Sequence, residues 1–374
     1  MKKFLSLGLA AALIFSLASC SGQSAASTEG ANAPANETET YELALVTDLG
    51  TIDDKSFNQG AWEGMAQYAE ENNIPHKYYQ PSEQSDDSYL NTIELAVKGG
   101  AKLIITPGFL FETPVFIAQD TYPDVAFVLI DGSPHSADYS EYKTGPKTVG
   151  VTYAEEEAGF LAGYAAVKDG HTQLGYMGGM AVPAVMRYGY GFIQGADYAA
   201  KELSLAAGSV SIQYHYTGAF VASPEAQAMA ASWYNAGTEI IFAAGGAVGN
   251  SVMAAAEQAG KKVIGVDVDQ SSESPTVVTS ALKGLRSSVY DCVKGFYDGS
   301  FAGGQDLVFA AENSGVGLAM DTAKFEKFTL ADYDAIYAKL VSKSVDIVRD
   351  VDATGATVEI ANVPVAIAVV NEIK

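Results

Sequence analysis

An α/β architecture of two doubly wound, parallel-sheet lobes is predicted by three observations. Short apolar, β-prone runs alternate with helical patterns along almost the whole chain. The alternation closes a first block near Asp131-Gly132-Ser133 and starts again at residues 149–151. The stretch of more than 330 residues after residue 40 exceeds what a single core usually supports.

Candidate strands fall at 42–47, 76–80, 102–106, 125–131, 147–152, 173–178, 210–216, 239–244 and 262–268, with helices between most of them. Leu103-Ile104-Ile105 and residues 125–130 are continuous apolar runs, which suit strands covered on both faces. The first strand runs into polar residues that open straight into an amphipathic helix. There Ser56 with Gln59 fits a capping box, and Phe57, Ala61, Met65 and Tyr68 share a helical face. After a polar loop at 134–147, the helix following the restart carries Ala158-Gly159, Ala162-Gly163 and Ala165-Ala166, small residues that permit close packing on a sheet or a neighbouring helix. In the tail, 307–320 reads as two short strands and 330–345 as a helix with Tyr333, Ile336, Tyr337, Leu340 and Val341 on one face. Residues 357–370 are β-prone and suit an edge strand or hairpin.

The N-terminus reads as an address. Met1-Lys2-Lys3, an apolar run over 4–17 and the small residues Ala18-Ser19 before Cys20 form a secretory signal with a lipobox, too short for a spanning helix. The mature chain is expected to begin at Cys20, whose thiol would carry a lipid, and two or more acyl chains suffice for stable anchoring at the outer face of the cell membrane. A cleaved signal with Cys20 unmodified is the alternative. Residues 20–40, rich in Ser, Ala, Asn, Thr, Glu and Gly, read as a flexible tether.

Charge and composition narrow the functions. Loss of residues 1–19, which hold two lysines and no acid, takes the formal charge from −23 to −25 and excludes a nucleic-acid partner. That field also disfavours an anionic solute and leaves a neutral one unaffected. Only Cys292 follows Cys20, so neither an intrachain disulfide nor a cysteine zinc site is available. The four histidines are scattered, and no metal or cofactor is expected.

In open α/β sheets, ligands bind beyond the carboxyl ends of strands, so residues just past strands are the candidates. These are Asp48, the pair Gly108-Phe109, Phe220, the pair Gly245-Gly246, and Asp267. Phe57 and Asn58 join them from the first turn of the first helix. Phe57 and Phe220 fall in different lobes and suit a sandwich around a planar base, at about 1–3 kcal/mol per stacked base; either ring alternatively belongs to the core. Asp48 and Asn58 supply acceptors and an amide for a base edge, with a turn or cap role as the alternative for Asp48. Asp267 suits a vicinal diol, with Asp269 as its competitor, and Lys283 would balance the buried carboxylate. Arg187, near a helix start, either touches solute or makes an ion pair. The glycine pairs permit close backbone approach, or simply turn the chain.

The run Asp48-Leu49-Gly50, followed by Asp53, Lys55-Ser56-Phe57-Asn58-Gln59 and Gly64, resembles the opening of the basic membrane protein family, lipoprotein receptors of ABC importers typified by the purine nucleoside receptor. Gly191-Phe192 with Gly195-Ala196, Ile264-Gly265-Val266-Asp267-Val268-Asp269-Gln270 and Thr279-Ser280-Ala281-Leu282-Lys283 agree in family order, so the resemblance spans roughly 41–300. It implies a type I periplasmic-binding-protein fold with a three-segment hinge crossed near 153, 272 and 306. Lobe 1 would then be 41–152 plus about 273–305, and lobe 2 153–272 plus about 306–374. It also implies base contacts for Phe57, Phe220, Asp48 and Asn58, and ribose contacts for Asp267 and Lys283. The expected activity is capture of a purine nucleoside (guanosine, inosine or adenosine) by a monomeric receptor that hands it to an ABC permease and breaks no bond. Two alternatives stay open. The same fold could hold a sugar or another small solute. Nucleoside hydrolases open with a calcium-binding Asp-Thr-Asp-x-Gly-x-Asp-Asp run, but Val46 replaces its first Asp and the spacing is one residue longer, which damages a site that needs converging oxygens. A DNA-binding regulator of similar fold is excluded by the export signal, the acidity and the missing helix-turn-helix.

Overall fold

The structure, a computed structural model, describes residues 40–374; the expected leader, Cys20 and the tether up to residue 39 lie outside the described residues. The first block alternates strands β1 (Leu43–Val46), β2 (His76–Tyr79), β3 (Leu103–Pro107), β4 (Ala126–Ile130) and β5 (Thr148–Tyr153) with helices α1 (Phe57–Glu71), α2 (Asp86–Lys98) and α3 (Glu112–Thr121). The second runs α4 (Glu155–Lys168), β6 (Gln173–Gly178), α5 (Pro183–Glu202), β7 (Val210–Tyr216), α6 (Pro224–Asn235), β8 (Ile240–Ala244), α7 (Val248–Ala259), β9 (Lys262–Asp267) and β10 (Val277–Lys283). The chain then adds α8 (Leu285–Asp298), β11 (Gln305–Phe309), β12 (Val316–Leu318), α9 (Leu330–Val341) and β13 (Ala368–Glu372).

Two sheets result, ordered β11-β5-β4-β3-β1-β2 and β12-β10-β9-β8-β6-β7-β13. Neighbours pair in parallel throughout except at β12, which runs antiparallel to β10. Each sheet reverses its strand order once, between β1 and β3 and between β6 and β8, and such switch points open a crevice beyond the strand ends. Along β1, Leu43 and Leu45 face one buried layer while Ala44 and Val46 face another. The same two-sided burial holds for β8, where Ile240 and Phe242 oppose Ile241 and Ala243. Continuous apolar strands follow from that, since no face meets water.

Three readings of the sequence need correction. Residues 277–283 are a strand of the second sheet, so the chain leaves that sheet at Gly284 and not near 272, and β11 pairs with β5 in the first sheet, so the chain returns after Phe309 and not near 306. The strand was obscured by its polar centre, Thr279 and Ser280, which are fully buried because Thr279 Oγ1 donates to the Ala319 carbonyl and Ser280 Oγ accepts from the Gln270 N–H. The edge strand of the tail is shorter and later than 357–370. It begins where Asp197 Oδ1 accepts the N–H groups of Ala366, Ile367 and Ala368, and it pairs with β7 in parallel. Upstream, Val351 and Thr357 form an isolated bridge, and Ile360–Asn362 is a short 3-10 turn. Finally, Ser56 does not cap α1 with its side chain. Asp54 does: its Oδ1 accepts the N–H groups of Ser56 and Gln59, and its Oδ2 accepts that of Asn58.

The small-residue helix α4 packs on α5, and the fit is reciprocal. A Cβ at Gly159 would stand 2.1 Å from the Tyr188 carbonyl oxygen, and one at Gly191 2.0 Å from that of Glu156. Only glycines allow this approach, and it sets Glu155 at the start of α4 beside Arg187 on α5.

A candidate ligand-binding cavity between the two sheets

Beyond the strand ends lies a cavity of about 370 Å³ whose lining comes from both sheets. The first sheet supplies Asp48, Phe57, Asn58, Gly108, Phe109 and Asp131; the second supplies Tyr188, Phe220, Gly245, Gly246, Asp267 and Lys283. Its size falls within the range of small-molecule sites.

One end is built by a single short segment. Asp48 follows β1, and its Oδ1 accepts the Gly50 N–H at 2.6 Å and Asn58 Nδ2 at 3.0 Å. Asn58 Nδ2 also donates to Asp54 Oδ2 at 3.1 Å. Asp54 thus caps the helix and orients Asn58 at once. Burial raises the Asp48 carboxyl above its ordinary range, while the Gly50 N–H and the Asn58 amide pull the other way. Phe57, half-buried on the same turn, lies beside Gly108, whose backbone at φ +118° suits glycine. Within this junction Asp54 has both oxygens taken by Asn58 and backbone N–H groups, and Asp53 accepts from the Thr51 hydroxyl, while Asp48 has only Oδ1 engaged. Among the described residues no group of three His, Cys, Asp or Glu side chains is placed to hold a metal.

The other end is assembled from distant parts of the chain. Lys283, 4 % exposed, places Nζ 2.5 Å from Asp131 Oδ2 and 2.8 Å from Glu155 Oε1. The ammonium also lies over the rings of Tyr153 at 4.9 Å and Phe57 at 5.0 Å. Asp267 accepts from Ser56 Oγ at 2.5 Å, a bond between the two blocks, and from Tyr188 Oη at 3.4 Å. Both acids sit at strand ends in the left-handed region, Asp131 at φ +64° and Asp267 at φ +67°, a strained conformation that turns a side chain sharply off its strand. Burial alone would lower the Lys283 pKa; Asp131, Glu155 and Asp267 reverse this and hold it above the ordinary lysine value. Burial, opposed by Lys283 and reinforced by the neighbouring Glu155 charge, pushes Asp131 up to about 7. Burial also raises Glu155, but Arg187 and Lys283 more than offset that and hold it at about 2. Burial raises Asp267 as well, against the pull of Lys283 and Ser56.

The charge chain continues outward. Arg187 Nε donates to Glu155 Oε2 at 2.6 Å, and its Nη1 lies 3.4 Å from Asp350 Oδ2. Glu156, pushed up to about 7 by burial, meets Arg349 at 3.0 Å.

On the second sheet's wall, Phe220 lies against Gly179, where a Cβ would stand 2.4 Å from the ring. Phe220 is half-buried like Phe57, and each ring keeps surface toward the cavity.

With this geometry in place, comparison with known proteins is direct. A family model described as "ABC transporter substrate-binding protein PnrA-like" (Bmp) matches residues 41–350. The chain belongs to this family. Members similar to it include the "ABC transporter nucleoside-binding protein BmpA" of Lactococcus lactis subsp. cremoris, 28 % identical with 85 % of this chain and 91 % of that protein covered. Basic membrane protein A1 of Borrelia garinii subsp. bavariensis is 29 % identical, with 92 % and 96 % covered. An ABC transporter solute-binding protein from Aeropyrum pernix K1 superposes with a TM-score of 0.71 at 21 % identity, covering 84 % of this chain and 95 % of its own. One from Conexibacter woesei gives 0.65 at 22 %, covering 82 % and 98 %. The fold is therefore the type I periplasmic-binding-protein fold. As a Bmp-family substrate-binding protein the chain has a small-molecule ligand and permease subunits as partners.

Of the residues singled out from sequence, Asp48, Phe57, Asn58, Gly108, Phe109, Phe220, Gly245, Gly246, Asp267 and Lys283 line the one cavity. Arg187 and Asp269 do not. Arg187 is 7 % exposed and spent on Glu155 and Asp350, while Asp269 is exposed and accepts from Thr322 Oγ1 and the Ser271 N–H. Asp131, Tyr188 and Glu155 were not anticipated. Asp131 was within reach of the strand-end rule, since it directly follows β4. Tyr188 and Glu155 lie inside helical patterns and only the α4–α5 contact brings them to the site.

Proposed function

We propose that this Bmp-family protein is a lipid-anchored receptor for a purine nucleoside, bound with its base between Phe57 and Phe220 and its ribose at Asp267 and Lys283. The observation that carries the reading is that two half-buried aromatic rings from opposite sheets line one cavity, with hydrogen-bond acceptors at one end and a buried ammonium at the other. A flat heterocycle fits the rings, and stacking contributes about 1–3 kcal/mol. A vicinal diol fits the other end: a carboxylate accepts its hydroxyl protons and Lys283 donates to its oxygens. Gly245 and Gly246 let backbone approach the ligand, and Gly108 and Phe109 close the first sheet's side. The similarity to a relative named as nucleoside-binding points the same way. Contacts from both lobes bias the closed state, which a permease reads as occupancy. On this reading the receptor breaks no bond and hands the ligand on as it arrived.

Mass spectrometry of ligand retained through gentle purification, with titration calorimetry of the emptied protein, tests this. Guanosine, inosine or adenosine is expected to bind and raise the melting temperature. Absence of heat and of a melting shift with every nucleoside would refute it. For the anchor, Cys20→Ser is expected to move the protein from the membrane fraction to the medium.

A further inference from the structure

The hydrogen-bond inventory around Asn58 makes a sharper statement about the ligand, and it rests on the nucleoside reading above. Both amide hydrogens of Asn58 are committed, one to Asp48 Oδ1 and one to Asp54 Oδ2. The reverse amide orientation would set its oxygen against two carboxylates, so the direction is fixed by charge. Its own Oδ1 is then left buried with no donor. Asp54 is fully used, both oxygens accepting from the first turn of α1. Asp48 Oδ1 is used by Gly50 and Asn58, and its Oδ2 has no hydrogen-bond donor among the described residues. The wall beside Phe57 therefore offers two unmatched acceptors, Asp48 Oδ2 and Asn58 Oδ1, and no free side-chain donor from these three residues.

We infer that the site ranks purine nucleosides by the donors on the base edge, binding guanosine more tightly than inosine and inosine more tightly than adenosine. Because Asn58 directly follows Phe57, a base stacked on that ring presents its edge to these acceptors. Guanine carries N1–H and the 2-amino group side by side, two donors for two acceptors. Hypoxanthine carries N1–H alone and leaves one acceptor unmatched. Adenine sets a lone pair at N1 beside its amino group, so an acceptor meets an acceptor. A site built from buried acceptors rejects a partner that leaves them unpaired. Each missing donor is expected to cost about ten- to a hundredfold in Kd, as for a hydrogen bond to a charged group. Asn250 on the opposite wall is exposed and can rotate its amide, so it carries no preference.

The test is calorimetric titration of the emptied protein with guanosine, inosine, adenosine and 1-methylguanosine, which lacks the N1 proton. The expected order is guanosine, inosine, adenosine, with 1-methylguanosine at least tenfold weaker than guanosine. Asp48→Asn keeps an oxygen for Gly50 and Asn58 and turns the free oxygen into a donor, so it is expected to narrow or reverse the gap between guanosine and adenosine. Adenosine binding as tightly as guanosine to the unmodified protein overturns the ranking while leaving the receptor reading intact. Failure of all four to bind overturns both.

Discussion

The two ends of the cavity are built on opposite plans. The Asp48 end is local: Asp48, Gly50, Asp54 and Asn58 lie within one strand-to-helix junction, and neutral amides satisfy its carboxylates. The Lys283 end is distributed: Asp131, Glu155, Asp267 and Lys283 come from four elements, with Arg187 and Asp350 behind them, and full charges satisfy one another there. A local plan fixes direction, because each hydrogen bond has one sensible donor. A distributed plan fixes the relative position of the sheets, because Asp131 belongs to the first and Lys283 to the second. The same difference separates the two ends in their response to damage.

Removal of Lys283 should do the most. Lys283→Met leaves Asp131, Glu155 and Asp267 facing one another without a cation, and breaking a buried pair costs about 3–5 kcal/mol. Loss of nucleoside binding by more than a hundredfold and a large fall in melting temperature are expected by calorimetry; a variant with unchanged melting would show that the charges do not hold this end together. Phe57→Ala and Phe220→Ala come next, each weakening binding about ten- to a hundredfold through lost stacking. Both rings are half-buried, so melting should move little. Equal affinity in either variant would remove that ring from the site.

The contrast also has a pH signature. Asp131 and Glu156 have folded pKa values raised to about 7, above their unfolded values. Such groups add stability that is complete below the unfolded pKa and lost as pH rises through 7. Glu155, held at about 2, works in the opposite sense, and its contribution is lost only as pH falls toward 2. Melting temperature should therefore decline by a few degrees between pH 5 and 8, and Asp131→Asn with Glu156→Gln should flatten the profile. A rise over that interval would contradict the account. The smallest effect belongs to the local end: Asp54→Ala removes the cap of α1 at a cost of about 1–2 kcal/mol and frees Asn58, lowering melting slightly and weakening binding severalfold in the same titration.

This contrast also explains what the sequence disclosed. The local end was readable because strand, polar junction and helix start are contiguous, and resemblance acted on the same dozen residues. Even there Ser56 and Gln59 suggested a cap that Asp54 provides, since three polar residues in a row compete for the same N–H groups. The distributed end was half readable. Asp267 follows its strand as the rule requires, but Asp131 was passed over as the close of a block, and Glu155 reads as one of three ordinary acids in a helix first turn. Strand β10 was missed because Thr279 and Ser280 look polar until their buried partners are known. The fold itself was legible because strands such as β1, β3, β4 and β8 are apolar on both faces.

The most direct measurement is a crystal structure with guanosine bound. The purine is expected between Phe57 and Phe220, with its N1 and 2-amino group on Asp48 and Asn58 and the ribose hydroxyls at Asp267 and Lys283. A base bound elsewhere, or a ribose turned to the Asp48 end, would contradict this placement.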